Sequence, residues 1–535
     1  MAIYNIFASA DATLYSRYPA KNTGRDSILE ISAKNSQDGV RFLYRDKLTD
    51  NPYYTYDLAA NSNYDVSGEF FPQKDIRRAV LQFSPEDIAK IYTLASQSSM
   101  PAIAATLTIS SSYQDGAFFQ LSGSISGTFF VTSSTTQVDS APVYYIVTGS
   151  TADLTAVAIA NKVSGLAAFN ITASVSASTI YLTSSLGGVV GNTFRYSSGS
   201  VTQLFSGGVD ARIASSQASL KLFLASAQNL STTYSLESYA ITQPWSMGTG
   251  QYINVPESRN GVSWTYTGPY QNSPLWTVTG SSYDVNYAAS QSFNYMSDKD
   301  VSMDVTKIVN GWFSSSLGQG GVTPYGLVVK HPDVIENTTS SFVDLKFFSV
   351  DTHTIYPPTI EFKWADANYY PAPGSTNYVL NDQITITLAN NQGQFRQNQV
   401  YKVRTSVRYT YPPRNFTTQS AYLSALYLPE NAYWALQDVK TQETVVNFDE
   451  NYTKLSADSI GNYFTLYTSG LEVNRFYRIL IKAHIYSTTY GPLSVYDNDQ
   501  SIYDALSFYG PADLALLPAE EVIYTGPNLI FKVVQ

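Results

Sequence analysis

Three aspartates, Asp298, Asp300 and Asp304, come nearest in type and spacing to residues that could do chemistry. Along an extended segment side chains alternate with a period of two, so all three project to one side. Paired carboxylates placed this way can be the acid and nucleophile of a glycosidase, or oxygen ligands of calcium. They can also accept backbone amides at a turn or strand end, within Met303-Asp304-Val305-Thr306. The pattern favours that last role, with calcium second and catalysis third. A metal on Asp298, Asp300 and Asp304 is therefore expected to be structural calcium, offsetting three like charges just before a strand ending at Trp312. The remaining signals are weaker. Asp497-Asn498-Asp499-Gln500-Ser501 begins like an EF-hand loop, but Ile502 stands where glycine is needed and Phe508 where the bidentate glutamate is needed. Gly187-Gly188-Val189-Val190-Gly191-Asn192 lacks the lysine of a phosphate loop and reads as a turn. The three histidines, His331, His353 and His484, are scattered, and there is no cysteine. His353, between two threonines and beside two prolines, reads as a hydrogen-bonded rim residue rather than a ligand. No Ser-His-Asp arrangement can be argued from spacing, because triads converge in space. No catalytic and no cofactor-binding residue is expected.

The elements that must position these residues are mostly strands. Short alternating runs recur, among them Ser219 to Leu224, Asn381 to Leu388 and Gln399 to Thr405, with Gly, Pro, Asn and Asp between them. That rhythm points to antiparallel sandwiches. Two helices interrupt it. Ser84-Pro85-Glu86-Asp87 supplies an N-cap, a first-turn proline and an acidic first turn ahead of Ile88, Ile91 and Tyr92. Ala156, Ile159, Ala160 and Val163 share one helical face after the cap candidates Ser150 and Thr151.

At 535 residues the chain has room for three to four domains at about 150 residues each. With 32 basic against 42 acidic residues its net charge is -10, which disfavours phosphate backbones as partners. Only 14% of residues are charged while 43 are tyrosine, a composition suited to wide, permanent contacts or to stacking on sugar rings, and one from which a homo-oligomer is expected. For any one of the six tryptophans, plain core packing is the expected role. Neither a basic, apolar export signal at the N-terminus nor a run of about eighteen apolar residues is found, so no membrane insertion is expected. From Thr106 to Val209 there are five charges in 104 positions, and this sparse stretch reads as an insertion at 106–211. The strands at Ala105 to Ile109 and Ala218 to Leu222 are expected to be edges of one host sheet, spanning 1–105 and 212–364. A proline-rich connector, Tyr369 to Gly374, then opens a C-terminal region at 370–535 with one or two sandwiches. The expected fold is all-β: a jelly-roll sandwich carrying a small inserted α+β domain, followed by C-terminal Ig-like sandwiches.

Several motifs, in order, carry a resemblance. Ser9 to Tyr15, Tyr18-Pro19, Asn22-Thr23-Gly24-Arg25, Arg78 to Phe83, Trp245 to Gly250, Gly261 to Trp264 and Met303 to Trp312 together resemble the DNRLRE-type jelly-roll module. With Leu345 to Ser349 and Thr352-His353-Thr354, the set resembles virion structural proteins of large tailed, marine-type bacteriophages. The insertion, through Ala156 to Val163, Ile180 to Thr183, Gly191-Asn192 and Ser206 to Asp210, resembles a small module recurring in phage tail and fibre proteins. The resemblance implies a non-enzymatic neck, tail or fibre-type component, assembled in the host cytoplasm, whose partners are other virion proteins and further copies of itself. The same module occurs in secreted, polysaccharide-associated proteins. The alternative is thus a glycan-binding adhesin on the particle, meeting host surface sugars.

Overall fold

Strand Thr233–Ile241 shows how the alternation becomes structure: Tyr234, Leu236, Ser238 and Ala240 are buried while the residues between them face outward. Repeated along the chain, this pattern gives an all-β, multi-domain sandwich protein in which helices are few and short. The computed structural model describes residues 2–36, 43–46, 52–53, 64–67, 73–110, 113–199, 201–337, 342–371, 384–389, 391, 393–410, 426–486 and 519–535. The Asp497 to Ser501 motif falls outside them. The chain divides into two compact units, one of Ile6–Ile213 with Gln217–Ile360, the other of Met1–Asn5, Ala214–Ser216 and Glu361–Gln535.

In the first unit, the long strand Gln73–Phe83 changes partners along its length. Its first half pairs antiparallel with Ile28–Ser36, and its second half lies between Ala2–Tyr15 and Leu327–Lys330. A strand that switches neighbours in this way turns a sheet corner, so both layers of the sandwich can share it. Ala12, Leu14, Val80, Ile241 and Val328, from neighbouring strands, form a core cluster with Trp245, Val262 and Trp276 of the stretch 242–282. Helix α1, Pro85–Leu94, begins at Ser84, whose hydroxyl accepts from the Asp87 amide, and buries Ile88 and Ile91.

Residues 104–204 fold around a core of their own. A five-stranded sheet runs in the order Val143–Val147, Ser126–Thr132, Phe118–Ser122, Arg195–Ser198, Val201–Leu204. A three-stranded sheet joins Ile171–Ser176, Thr179–Gly187 and Ala104–Ser110. Helix α2, Ala152–Gly165, is capped by Thr151 and buries Thr155, Ala156, Ile159, Ala160 and Val163. The strand at Ala104–Ser110 therefore belongs to the insert, paired with Thr179–Gly187. It is not the host-sheet edge expected beside Ala218 to Leu222; that strand, Ser216–Leu222, pairs with Val301–Asp304. Both strands read alike in sequence, and register rather than composition decides their partners.

The stretch expected to end a strand at Trp312 is instead a third helix, α3, Thr306–Ser316. Ile308, Val309, Trp312 and Phe313 are buried on one face, a helical spacing that overrides the β-branched content of Val305 to Val309. Five tryptophans are core residues, and Trp264 is half-buried.

The C-terminal residues of the second unit make one sandwich. A four-stranded sheet containing Ile384–Leu388, Val400–Tyr409 and Gly461–Tyr467 and a six-stranded sheet containing Ala432–Asp438, Phe476–Tyr486 and Ile530–Val534 contribute to a single core. Trp434 stacks on Phe464 there, ring centroids 4.5 Å apart.

Candidate functional site

The three aspartates do separate jobs. Asp298, exposed, accepts the Asp300 amide at 3.2 Å. Asp300 accepts the Leu224 amide at 2.7 Å, and partial burial, reinforced by the charge of Asp298, pushes its carboxyl above the ordinary range. Asp304 accepts the Thr306 amide at 2.9 Å and so holds the first turn of α3. Among the described residues no group of three or more His, Asp or Glu side chains could hold a metal ion. Asp298, Asp300 and Asp304, the residues considered for structural calcium, form no such group, and each accepts a backbone amide, the role the sequence pattern favours. His331 is buried, its Nε2 at 3.2 Å from the Val343 carbonyl, and burial pulls its pKa down, whereas His353 is exposed. The Gly187 to Asn192 turn carries a short 3-10 helix, Val189–Thr193, whose first amide donates to Asp210 at 3.0 Å. Gly188 has φ +87, and a Cβ there would lie 2.0 Å from that carboxylate.

Two motifs of the jelly-roll resemblance, Trp245 to Gly250 and Gly261 to Trp264, meet a third at Asn22. Its side-chain amide donates to the carbonyls of Met247 at 2.7 Å and Val262 at 2.9 Å, and accepts the Gly250 amide at 2.8 Å. Thr23 donates to the Thr13 carbonyl at 2.7 Å, and Gly24 has room for no Cβ, since one would sit 2.1 Å from the Met247 oxygen. Asn22, Thr23 and Gly24 thus pin the long irregular stretch 242–282 to the sandwich. Several charges near this hub have partners within the fold. Lys21 lies over the Tyr18 and Tyr252 rings, 5.0 and 4.1 Å from their centroids. Burial works against the Glu30 carboxylate, but Lys346, at 2.7 Å, and Arg77 hold its pKa below the ordinary range. Deeper in, Arg78 forks onto Glu336 at 3.0 and 2.6 Å and donates to the Gly280 carbonyl at 2.7 Å. Lys330, fully buried, reaches Glu336 at 3.6 Å. Such paired, desolvated charges fix geometry. Arg78 and Glu336, like Glu30 and Lys346, lie far apart in sequence, and spacing gave no sign of their pairing.

A different kind of surface lies on the insert. Strands Phe118–Ser122, Ser126–Thr132 and Val143–Val147 each carry an aromatic doublet: Phe118-Phe119, Phe129-Phe130 and Tyr144-Tyr145. Period-two alternation sends one ring of each doublet inward, and Phe119, Phe129 and Tyr144 stack in the core with centroids 5.1 and 5.2 Å apart. Register sets the others side by side on the outer face, Phe118 against Phe130 at 5.7 Å and Phe130 against Tyr145 at 5.9 Å. Gln120, Thr128 and Ser197 share that face, with Gln120 donating to Thr128 at 3.3 Å. Arg195 is its one charged residue, set across from Ser122. The doublets were a sequence signal for this face.

Among the described residues no helix is long and apolar enough to cross a membrane. No protein-family model, curated protein or solved structure matches the chain.

Proposed function

We propose that this chain is a non-enzymatic structural component of a bacteriophage particle, of neck, tail or fibre type, which contacts other virion proteins and further copies of itself. One observation carries the reading. Arg77, Glu30, Lys346, Arg78 and Glu336 near the jelly-roll hub are paired within the fold, whereas large apolar side chains stand in solvent on its loops, with Val255 96% and Met296 90% exposed. Ile253 and Tyr295 beside them extend the same apolar loops. Exposed apolar groups of this size are typical of surfaces covered by neighbouring subunits. The ordered jelly-roll motifs and the tail-module motifs of the insert agree with assembly in the host cytoplasm followed by residence in the virion. Mass spectrometry of gradient-purified particles tests this: the chain is expected at a fixed stoichiometry, with antibody against it decorating intact particles at one location. Recovery only in the soluble lysate would overturn the reading. Light scattering of the purified chain tests self-association, and an oligomer is expected.

A second reading, glycan binding on the same particle, is favoured by the outward aromatic row of the insert.

A further inference from the structure

We infer that the outer face of the insert's five-stranded sheet is a binding platform for a neutral polysaccharide, centred on Phe118, Phe130 and Tyr145. The inference rests on the glycan-binding reading and assigns it a site and a class of ligand. An aromatic side chain that points away from the core adds nothing to core packing, and Phe118 is 45% exposed. Three such rings in register make one continuous apolar strip across three strands. Planar partners for the strip differ in charge. Nucleobases stack on aromatic platforms, but nucleic acids also need a cationic track for their phosphates. This face has Arg195 alone, and Lys162 and Asp139 at its margin neutralise each other. Acidic polysaccharides fail for the same reason. A neutral sugar ring meets both demands, laying an apolar C–H face on the rings and offering hydroxyls to the Gln120 amide and to Thr128 and Ser197. At the Val143–Val147 edge the Tyr145 amide donates to Asp139 at 2.9 Å, so the chain itself occupies that position against an added strand and leaves the face as the open feature.

The test is affinity electrophoresis of the full chain through gels containing a soluble β-glucan, a mannan or a dextran, with alginate as the acidic control. Retardation is expected in at least one neutral gel and not in alginate. Phe118→Ala and Tyr145→Ala should each weaken it by about tenfold, the change expected for loss of one stacked ring, with melting temperature unchanged. Tyr295→Ala, on the host sandwich, should leave retardation intact. Retardation that survives both insert substitutions would keep the glycan reading and overturn this site. No retardation in any neutral gel would overturn both, and so would an oligomer that Tyr145→Ala dissociates in sedimentation velocity without any retardation, since a second copy would then cover the face.

Discussion

Asp11 is almost wholly buried, at 1% exposure, with one carboxylate oxygen accepting the Val350 amide at 2.7 Å. Its other oxygen, Oδ1, has no hydrogen-bond partner. Burial, with repulsion from Asp351 and Asp26 added, pushes its pKa up to about 7. Between the ordinary carboxylate value near 4 and this raised value, the folded chain holds a proton that the unfolded chain has released. Asp11 therefore favours the folded state most in acid, and that contribution falls away as pH rises to about 7. Asp11→Asn keeps an acceptor for Val350 and removes the charge. It should raise stability by on the order of 2–4 kcal/mol at about pH 8 and change little near pH 4. Melting curves across that range check it, and a variant no more stable than the parent in alkali would show that the buried charge is compensated. Asp458 behaves in the opposite sense. Arg404, bonded at 2.9 and 2.7 Å, holds its carboxyl well below the ordinary range, with Lys402 at 3.0 Å assisting. Its contribution is present at neutral pH and lost on acidification. Arg404→Ala should accordingly cost about 1 kcal/mol at neutral pH and progressively less in acid, read from urea denaturation at both ends.

At the level of elements, the turn Asn22-Thr23-Gly24 replaces regular structure as the organiser of 242–282. Removing the Asn22 side chain would leave the Met247 and Val262 carbonyls and the Gly250 amide without their partner. Asn22→Ala should destabilise the fold by roughly 3–5 kcal/mol, since each buried group left unpaired costs about 1–3 kcal/mol. Increased protease cleavage within 242–282, ahead of global unfolding, is the measurement that separates loss of this pin from general weakening. The sequence made some elements legible and hid others. Helices α1 and α2 were readable because cap and apolar stripe agree: Ser84 with Ile88 and Ile91, Thr151 with Ile159 and Val163. Helix α3 was misread because Val305, Thr306, Ile308 and Val309 favour strands locally, and its spacing of buried residues prevails only through tertiary packing, as where Trp312 meets Phe83. The aspartates were read correctly as backbone acceptors in kind, but the segments that supply their donors, Leu224 for Asp300 above all, are set by the fold. For the aromatic face, the doublets gave the alternation while cross-strand register alone placed Phe118, Phe130 and Tyr145 in a row.

On the scale of the molecule, the insert joins its host through a narrow, well-bonded seat. Ser99–Met100 pairs with Arg212–Ile213, and Ile103 and Val209 exchange backbone hydrogen bonds at 2.7 and 3.0 Å. Host side chains complete the seat: Gln319 accepts the Ala102 amide at 2.7 Å, Ser314 accepts the Ala211 amide at 2.6 Å, and Tyr287 donates to Asp210 at 3.4 Å. Entry and exit are therefore one antiparallel pair apart, a gap of about 5.5 Å between Cα atoms, so closing it without the insert costs little chain entropy. Replacing residues 103–209 by a short glycine linker should leave the host soluble, with a cooperative melt within a few degrees of the parent. Where the cut falls matters. Removing 113–210 instead would leave strand Ala104–Ser110 attached to the host without its partner Thr179–Gly187, exposing an unpaired strand of apolar and hydroxyl residues that invites edge-to-edge association. That variant should aggregate while the first stays monodisperse in size-exclusion chromatography. Because the insert has its own core, residues 102–211 alone should also melt cooperatively. If both deletions behave alike, strand Ala104–Ser110 is held by the host, and the seat is not the boundary between the two folds.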